Sequence, residues 1–326
     1  MRNEIEARAK KAMEEGVFPG CVVGIIRANS SREIFPFGDL TYEPDSARVT
    51  EDTIYDVASI TKSIPTASLA LSFVAEGRLG LGDTVFRYLP ELRSDYGATV
   101  EDLLRYRVQG PTLSTLKDKT ADELTAYVFA HGFKGPAGKS RYTNLPAFLL
   151  GLIVERVGGD TLDALTQKYF FDPLGMKNTA FFPNYRPRRS IAPTEIVDGM
   201  EIRGIVHDES ARVFARAGLA VGHAGLFSTA PDILKFLEAL LQEKYPNVLD
   251  GAQKGLGWQV NDARFMGRHA HPRTFGKTGF TGTSCVVDAE RGVALVILSN
   301  RTFPERPGND DAIYRFRADI ADVVLE

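Results

Sequence analysis

A serine and a lysine three positions apart, Ser59 and Lys62, stand at the start of a long apolar segment. On a helix this spacing places both side chains on one face, so the lysine amine can reach the serine hydroxyl. Serine is a weak nucleophile until a neighbouring base takes its proton, and a desolvated lysine near other cations can be that base. The structural alternative is that Ser59 caps a helix while Lys62 extends to solvent.

The residues around this pair distinguish it from a chance match. Average residue usage gives about one Ser-x-x-Lys in a chain this long, and Ser114 with Lys117 forms a second match in a polar loop, which we interpret as solvated surface. The segment from Ile60 to Ala75 is apolar nearly all round, which is typical of a buried helix. The sequence therefore predicts that Ser59 and Lys62 lie in the first turn of a core helix, beside N–H groups available to an oxyanion.

Two polar residues, Tyr142 and Asn144, precede a second apolar helix in "YTNLPAFLLGLIVERVGG". Asparagine before an apolar residue and a proline is a good helix start, so capping alone can explain Asn144. Packing at the helix entrance can likewise explain Tyr142. The pair is a candidate for chemistry only in combination with the other groups.

A third group of residues lies late in the chain, in "FGKTGF", where Lys277 and Thr278 are followed by Gly279 and Phe280 on an edge-type strand. Glycine in a strand often marks a bulge or the close approach of a ligand. The alternative is a bent hairpin with an exposed lysine. A phosphate-binding loop is excluded, because His271 stands where that motif needs glycine and a strand follows where it needs a helix.

The elements that must position these groups change along the chain. Strand patterns occur near the N-terminus ("CVVGIIR", "REIFPFG") and again after Gly257, whereas helical patterns dominate from about Asp56 to Glu243. We therefore predict an α+β fold, in which an antiparallel sheet is built from both chain ends, with flanking helices and an inserted all-α lobe. The predicted lobes are 1–55 with 255–326, and 56–254, with the active site in the cleft between them.

The order of the three motifs carries more information than any one of them. Ser-x-x-Lys on an early helix, Tyr-x-Asn before a middle helix and Lys-Thr-Gly on a late strand form the set found in serine β-lactamases and penicillin-binding proteins. The chain resembles the serine β-lactamase-like family of class C β-lactamases, D-alanyl-D-alanine peptidases and family VIII esterases. Segments such as "GVFPGCVVGIIR", "DPLGMKNT" and "GHAGLFSTAPDILKF" extend the similarity over most of the chain.

The resemblance implies a β-lactamase/transpeptidase-like fold and a role for each motif residue. Ser59 would be the nucleophile that is acylated, and Lys62 and Tyr142 would share the general-base and general-acid work, with the acylation base left open. The residues expected to bind substrate are Asn144, Lys277, Thr278, Gly279 and Phe280. Backbone N–H groups of Ser59 and Phe280 would hold the oxyanion. No cofactor and no metal is expected.

Two departures from the family pattern affect the pocket. Where many relatives have His-Thr-Ser-Gly, this chain has "RYRVQGP", from Arg105 to Pro111. Relatives often carry histidine in place of Lys277, and lysine favours a substrate that bears a carboxylate. Pro65 within the nucleophile helix further requires a first turn that tolerates a missing N–H.

Composition limits the kinds of partner. The chain has 326 residues, 44% of them hydrophobic and 25% charged, with a net charge of −3. This charge creates no field that would gather nucleic acid or an anionic membrane, so a small molecule or short peptide is the expected substrate. No apolar run approaches the roughly 20 residues of a membrane helix. The oligomeric state is not predicted.

The N-terminus and the cysteine and histidine residues support further expectations. The charged N-terminus predicts a cytoplasmic protein if the chain is complete, and a periplasmic or extracellular one if an export signal was removed. Cys21 and Cys285 lie in strand patterns and are expected to be unpaired. His207 is interpreted as a hydrogen-bonding partner of Asp208, and His223 as support for a turn beside the cleft.

The sequence thus predicts a serine hydrolase that cleaves an ester or amide through an acyl-enzyme on Ser59. The bond would belong to a β-lactam, a D-alanyl peptide or a carboxylic ester. The alternative is a binding or sensor protein that keeps the fold without hydrolysis.

Overall fold

Six strands from the two ends of the chain form one antiparallel sheet in the computed structural model, which describes residues 1–183 and 187–326. The strands are β1 Gly20–Arg27, β2 Arg32–Gly38, β3 Tyr55–Asp56, β4 Glu195–Val197, β5 Met200–Ile202, β6 Phe227–Ser228, β7 Gln259–Val260, β8 Phe275–Thr278, β9 Ser284–Asp288 and β10 Val293–Ser299. The large sheet has the order β2-β1-β10-β9-β8-β7, and β3 with β6 and β4 with β5 form two small ribbons. The predicted α+β fold with its antiparallel sheet is confirmed.

The helices fall at the two chain ends and in the long middle segment. They are α1 Arg2–Glu14, α2 Ser68–Ala75, α3 Val85–Tyr88, α4 Val100–Leu104, α5 Ala121–His131, α6 Leu145–Gly158, α7 Leu162–Thr166, α8 Asp172–Leu174, α9 Glu209–Arg216, α10 Ala230–Leu241, α11 Pro246–Gln253, α12 Ala263–Met266 and α13 Asp311–Leu325. Reciprocal caps start α4 and α5, where Thr99 and Thr120 each accept from a backbone N–H that follows.

Helices cover both faces of the sheet, which explains why its central strands are apolar without alternation. One face packs against α1 and α13, in a core that includes Ile5, Phe18 and Phe316. The other face packs against α10, and this layer continues into the core of the helical segment. At Gly24 a β-carbon would lie 2.9 Å from the Leu234 side chain, so glycine permits the close approach of β1 and α10.

The predicted nucleophile helix is not continuous, and this part of the prediction is wrong. Ala58–Lys62 forms a 3₁₀ turn, Ser63–Ala67 is a kinked segment, and the α-helix begins only at Ser68. Ile64 has non-helical backbone angles, as expected for a residue that precedes a proline. Residues at i and i+3 eclipse each other in a 3₁₀ turn, so the spacing of Ser59 and Lys62 still brings them together.

No helix within residues 1–183 and 187–326 is both long enough and apolar enough to cross a membrane. Cys21 and Cys285 are buried and unpaired, on strands β1 and β9. Ser114 and Lys117, the second Ser-x-x-Lys match, are exposed, as predicted.

Candidate active site

The turn that carries Ser59 is held by a buried carboxylate. Asp56, at the end of β3, accepts hydrogen bonds from the backbone N–H of Ala58 and from that of His207, both at 2.8 Å. Ala58 has φ of +47°, a conformation uncommon for a residue other than glycine and often found at functional sites. Burial raises the pKa of Asp56 to about 6, against the opposing effect of the two N–H donors. The constrained turn leaves Ser59 half-buried at the cavity wall.

Lys62 contacts Ser59 directly. Its side chain is 1% exposed, and Nζ donates to Ser59 Oγ at 2.7 Å and to the carbonyl oxygen of His223 at 2.6 Å. The alternative in which Lys62 extends to solvent is therefore wrong. His223, which is fully buried, supports the site through its backbone.

Tyr142 lies beside this pair, on the segment that leads into α6. The residue is 53% exposed, while its hydroxyl interacts with Ser59 and Lys62. Burial of the hydroxyl opposes its ionisation, but the charges of Lys62 and Lys277 outweigh that effect and hold the pKa of Tyr142 below its usual range. The ammonium groups lie 5.3 Å and 4.7 Å from the ring centre.

Lys277 projects into the same group from β8. It is 1% exposed, so the alternative of an exposed hairpin lysine is wrong. Burial lowers the pKa of Lys277 to about 8, partly offset by Tyr142. The strand β8 is not the sheet edge, since β7 lies outside it. However, β7 pairs only with Phe275 and Gly276, and Thr278 lines the cavity beyond its end together with Lys277.

Gly279 permits the close approach of β8 to the nucleophile turn. A β-carbon there would lie 2.5 Å from the carbonyl oxygen of Val57 and would also collide with the Thr283 hydroxyl. Thr283 and Thr281 donate to the carbonyl oxygens of Val57 and Asp56 at 3.0 and 2.7 Å. The loop between β8 and β9 and the turn before Ser59 are thereby joined.

Asn144 occupies the N-cap position of α6 as predicted, but its side chain makes no capping hydrogen bond. Its side-chain amide instead donates to Asp208 at 2.9 Å. The other Asp208 oxygen accepts from Ser210 at 2.6 Å, and Ser210 Oγ lies 3.0 Å from Nε2 of His223. Because the Ser210 proton is given to Asp208, His223 must donate through Nε2. Burial lowers the pKa of His223, so the neutral ring fits this network.

Phe280 is 43% exposed at the end of the Lys-Thr-Gly segment. It stacks on the His207 ring with centroids 5.7 Å apart. The predicted hydrogen bond between His207 and Asp208 is absent, since both ring nitrogens of His207 are buried without a partner in the described structure. Asp208 is the N-cap of α9. Its side chain accepts a hydrogen bond from the Ala211 N–H and not from the ring of His207.

These groups open into a cavity of about 990 Å³. Ser59, Tyr142, Lys277 and Thr278 line it together with Tyr106 and Trp258. Basic residues outnumber acidic ones along its wall: Arg105, Arg107, Arg264, Arg301, Arg317 and Lys277, against Asp262 and Asp310. A cavity of this size accommodates a ligand larger than a simple acetate ester.

The sequence matches the family model described as Beta-lactamase over residues 5–320. The chain belongs to the Beta-lactamase family. A relative from Escherichia coli K12, named "Putative D-alanyl-D-alanine carboxypeptidase", is 31% identical, with 81% of this chain and 72% of the relative covered.

Solved structures share the same fold. A "Beta-Lactamase/D-Alanine Carboxypeptidase" from Pseudomonas syringae has a TM-score of 0.78 at 19% identity, with 98% of both chains covered. "EstCE1, a hydrolase with promiscuous acyltransferase activity" has a TM-score of 0.77 at 19% identity, with 100% of this chain and 98% of that chain covered. The protein is a serine hydrolase of the Beta-lactamase family, and nothing in the described part of the chain favours the non-hydrolytic alternative.

The sequence patterns do not indicate the roles of three contributors to this Beta-lactamase-family site. Asp56 precedes the nucleophile by three residues, and Asp208 binds Asn144 and Ser210 instead of the predicted His207. Tyr106 lies in the "RYRVQGP" departure, and its hydroxyl oxygen accepts a hydrogen bond from Lys277 Nζ at 3.3 Å. The departure from the family pattern was the available signal for Tyr106.

Proposed function

We propose that the protein cleaves an ester or amide bond through an acyl-enzyme on Ser59. The observation that carries this proposal is the 2.7 Å hydrogen bond from Lys62 Nζ to Ser59 Oγ, made by an almost fully buried ammonium. Because Ser59 accepts from Lys62, its own proton is free to be donated to Tyr142. A serine held in hydrogen-bond contact with an adjacent basic group is an activated nucleophile.

Tyr142 is the better candidate for the base that takes the Ser59 proton. Lys62 is already a donor to two oxygens, Ser59 Oγ and the carbonyl oxygen of His223, so Tyr142 is the neighbouring group left to accept the Ser59 proton. Tyr142 as phenolate then removes the proton while Oγ forms a bond to the substrate carbonyl carbon. The resulting phenol gives the proton to the leaving group as its bond to that carbon breaks. Water attacks the acyl-enzyme by the same route in reverse.

The negative carbonyl oxygen of the intermediate would be held by the backbone N–H groups of Ser59 and Phe280. Phe280 lies in the loop between β8 and β9, which Thr283 joins to the nucleophile turn. Among the backbone hydrogen bonds of the loops and turns in the described residues, none is donated by the Phe280 N–H. Loss of one such donor lowers the rate of a hydrolase by about a hundredfold or more.

The substrate class that the site supports best is a small molecule or short peptide with a carboxylate near the scissile bond. Lys277 is a buried cation at the cavity wall beside Thr278, and it forms no ion pair with a carboxylate of the described residues. The name of the Escherichia coli relative supports a D-alanyl peptide as the first candidate. Asn144 would orient the peptide amide, while Asp208 holds the Asn144 side chain. Neither nucleic acid nor a membrane is part of this proposal.

The test compares three substrates with wild type, Ser59→Ala and Ser114→Ala. The substrates are a tripeptide that ends in D-alanyl-D-alanine, the same peptide with its C-terminus amidated, and p-nitrophenyl acetate. We expect the free-carboxylate peptide to be hydrolysed in preference to its amide. Ser59→Ala should lose all turnover, whereas Ser114→Ala should lose none of it. Turnover of the ester without turnover of the peptide would show that the protein acts as an esterase and not as a peptidase. Equal rates in wild type and Ser59→Ala would overturn the proposal.

A further inference from the structure

The Lys277 ammonium contacts two neighbouring tyrosine rings, of which only Tyr142 belongs to a sequence motif. The ammonium lies 4.7 Å from the Tyr142 ring centre and 4.8 Å from that of Tyr106, and the two rings are 5.3 Å apart. Its described side-chain hydrogen bond goes to the Tyr106 hydroxyl, at 3.3 Å. A cation is attracted to the face of an aromatic ring, most strongly where water is excluded.

The backbone of Tyr106 is itself constrained. It has φ of +55°, a region that a bulky residue rarely adopts and that persists only where the surroundings enforce it. The surroundings here are two backbone hydrogen bonds: the Tyr106 amide donates to Leu103, and the Tyr106 carbonyl accepts from Arg141. The second bond joins Tyr106 to the segment that carries Tyr142. Both tyrosine rings are thus placed next to each other beside Lys277 by one connected piece of backbone.

We propose that Tyr106 is a positioning residue that holds the Lys277 ammonium beside Tyr142, so that the lysine charge reaches the group that acts on Ser59. This proposal rests on the proposed function for its catalytic consequence. The arrangement itself rests on the distances and the backbone conformation. Tyr106 acts through Lys277 and is not required to touch the reacting atoms.

The charges around Lys277 define what Tyr106 contributes. From the nucleophile turn Lys62 opposes the Lys277 charge, whereas Tyr142 and the Cys285 thiol, on neighbouring elements, favour it. Burial raises the pKa of Tyr106 well above its usual range, so this residue stays a neutral phenol whose oxygen can accept. Removing that oxygen leaves the buried Lys277 ammonium without this hydrogen-bond acceptor. The protonation equilibrium of Lys277 then shifts towards the neutral amine.

The first test is Tyr106→Phe, which keeps the ring and removes the hydroxyl. Tyr42→Phe is the matched control, because the Tyr42 hydroxyl also makes one hydrogen bond, to the Gly16 carbonyl at 3.1 Å, at a distant surface. In the pH profile of kcat/KM for p-nitrophenyl acetate, we expect the basic limb of Tyr106→Phe to move to lower pH by about half a unit, and that of Tyr42→Phe to stay in place. A profile that is only scaled, with both limbs unmoved, would overturn the proposal.

The second test does not depend on turnover. Ultraviolet difference titration detects tyrosine ionisation, and subtraction of the Tyr142→Phe spectrum isolates the transition of Tyr142. We expect that transition to move to higher pH in Tyr106→Phe, because Lys277 carries less charge near it. An unchanged transition would contradict the positioning role even if the protein hydrolysed nothing. Failure of the proposed function is recognised separately, by ester cleavage that Ser59→Ala leaves intact.

Discussion

Replacement of Lys277 by methionine tests how the site makes Tyr142 acidic enough to act as a base. Methionine keeps a long unbranched side chain but removes the charge that lies 4.7 Å from the Tyr142 ring centre. At an effective dielectric constant of about 20, a charge pair at that distance interacts by about 3.5 kcal/mol. Because 53% of Tyr142 is exposed, solvent screening reduces this value by half or more. About 1.4 kcal/mol therefore remains, which corresponds to a tenfold effect.

The assay is the pH dependence of kcat/KM for p-nitrophenyl acetate, with Ser59→Ala as the blank at each pH. This ester has no carboxylate, so the loss of carboxylate binding by Lys277 does not enter the result. Below the acid limb we expect kcat/KM of Lys277→Met to be about tenfold lower than wild type, with the limb displaced to higher pH by about one unit. Wild type should also show a basic limb near pH 8, where Lys277 loses its charge, and this limb should be altered in Lys277→Met.

A control separates charge from packing in this experiment. Lys277→Arg retains a cation at the same strand position, so its acid limb should remain nearer to that of wild type. If Lys277→Met lowers the rate equally at every pH and leaves the acid limb in place, the charge of Lys277 does not tune Tyr142. The electrostatic account of the base would then be wrong.

Three other substitutions test the support around the nucleophile. Gly279→Ala should destabilise the protein by about 1–3 kcal/mol in urea denaturation and lower kcat, because the new β-carbon meets the Val57 carbonyl. Unchanged stability would show that the close approach is not enforced. Asp56→Asn should lower stability by about 1–3 kcal/mol, since an amide nitrogen cannot accept from the Ala58 or His207 N–H. With the folded pKa raised to about 6, wild type should lose stability as pH rises from about 4 to 6, and Asp56→Asn should lack this slope. Asn144→Ala should lower kcat/KM about tenfold for a D-alanyl peptide and little for p-nitrophenyl acetate. Equal losses of kcat/KM for the two substrates would refute the role of Asn144 in binding the peptide.

Several features of the site could be predicted because local sequence determines them. The spacing of Ser59 and Lys62 brings their side chains together in either an α-helix or a 3₁₀ turn, so their contact was predicted although the helix itself was wrong. The sheet was predictable because both of its faces are buried and its strands are accordingly apolar runs. The break at Ile64 was signalled by the proline that follows, but its position relative to the catalytic turn was not.

The features that could not be predicted depend on contacts between distant segments. Asn144 and Asp208 are separated by 64 positions, and only the folded chain shows that the amide serves the carboxylate instead of the helix end. Tyr106 adopts positive φ without being glycine, so its sequence gives no sign of that conformation. His207 and Asp208 are neighbours in sequence, but the capping role of Asp208 turns its side chain away.

The most direct test of the central claim is to identify the residue that becomes acylated. The protein is mixed with p-nitrophenyl acetate, quenched in acid during the first turnover, and digested for mass spectrometry, with Ser59→Ala and Ser114→Ala treated in parallel. The account predicts an acetyl group on the peptide that contains Ser59 in wild type and in Ser114→Ala, and none on the corresponding peptide of Ser59→Ala. Acetylation at another residue, with turnover that persists in Ser59→Ala, would contradict it.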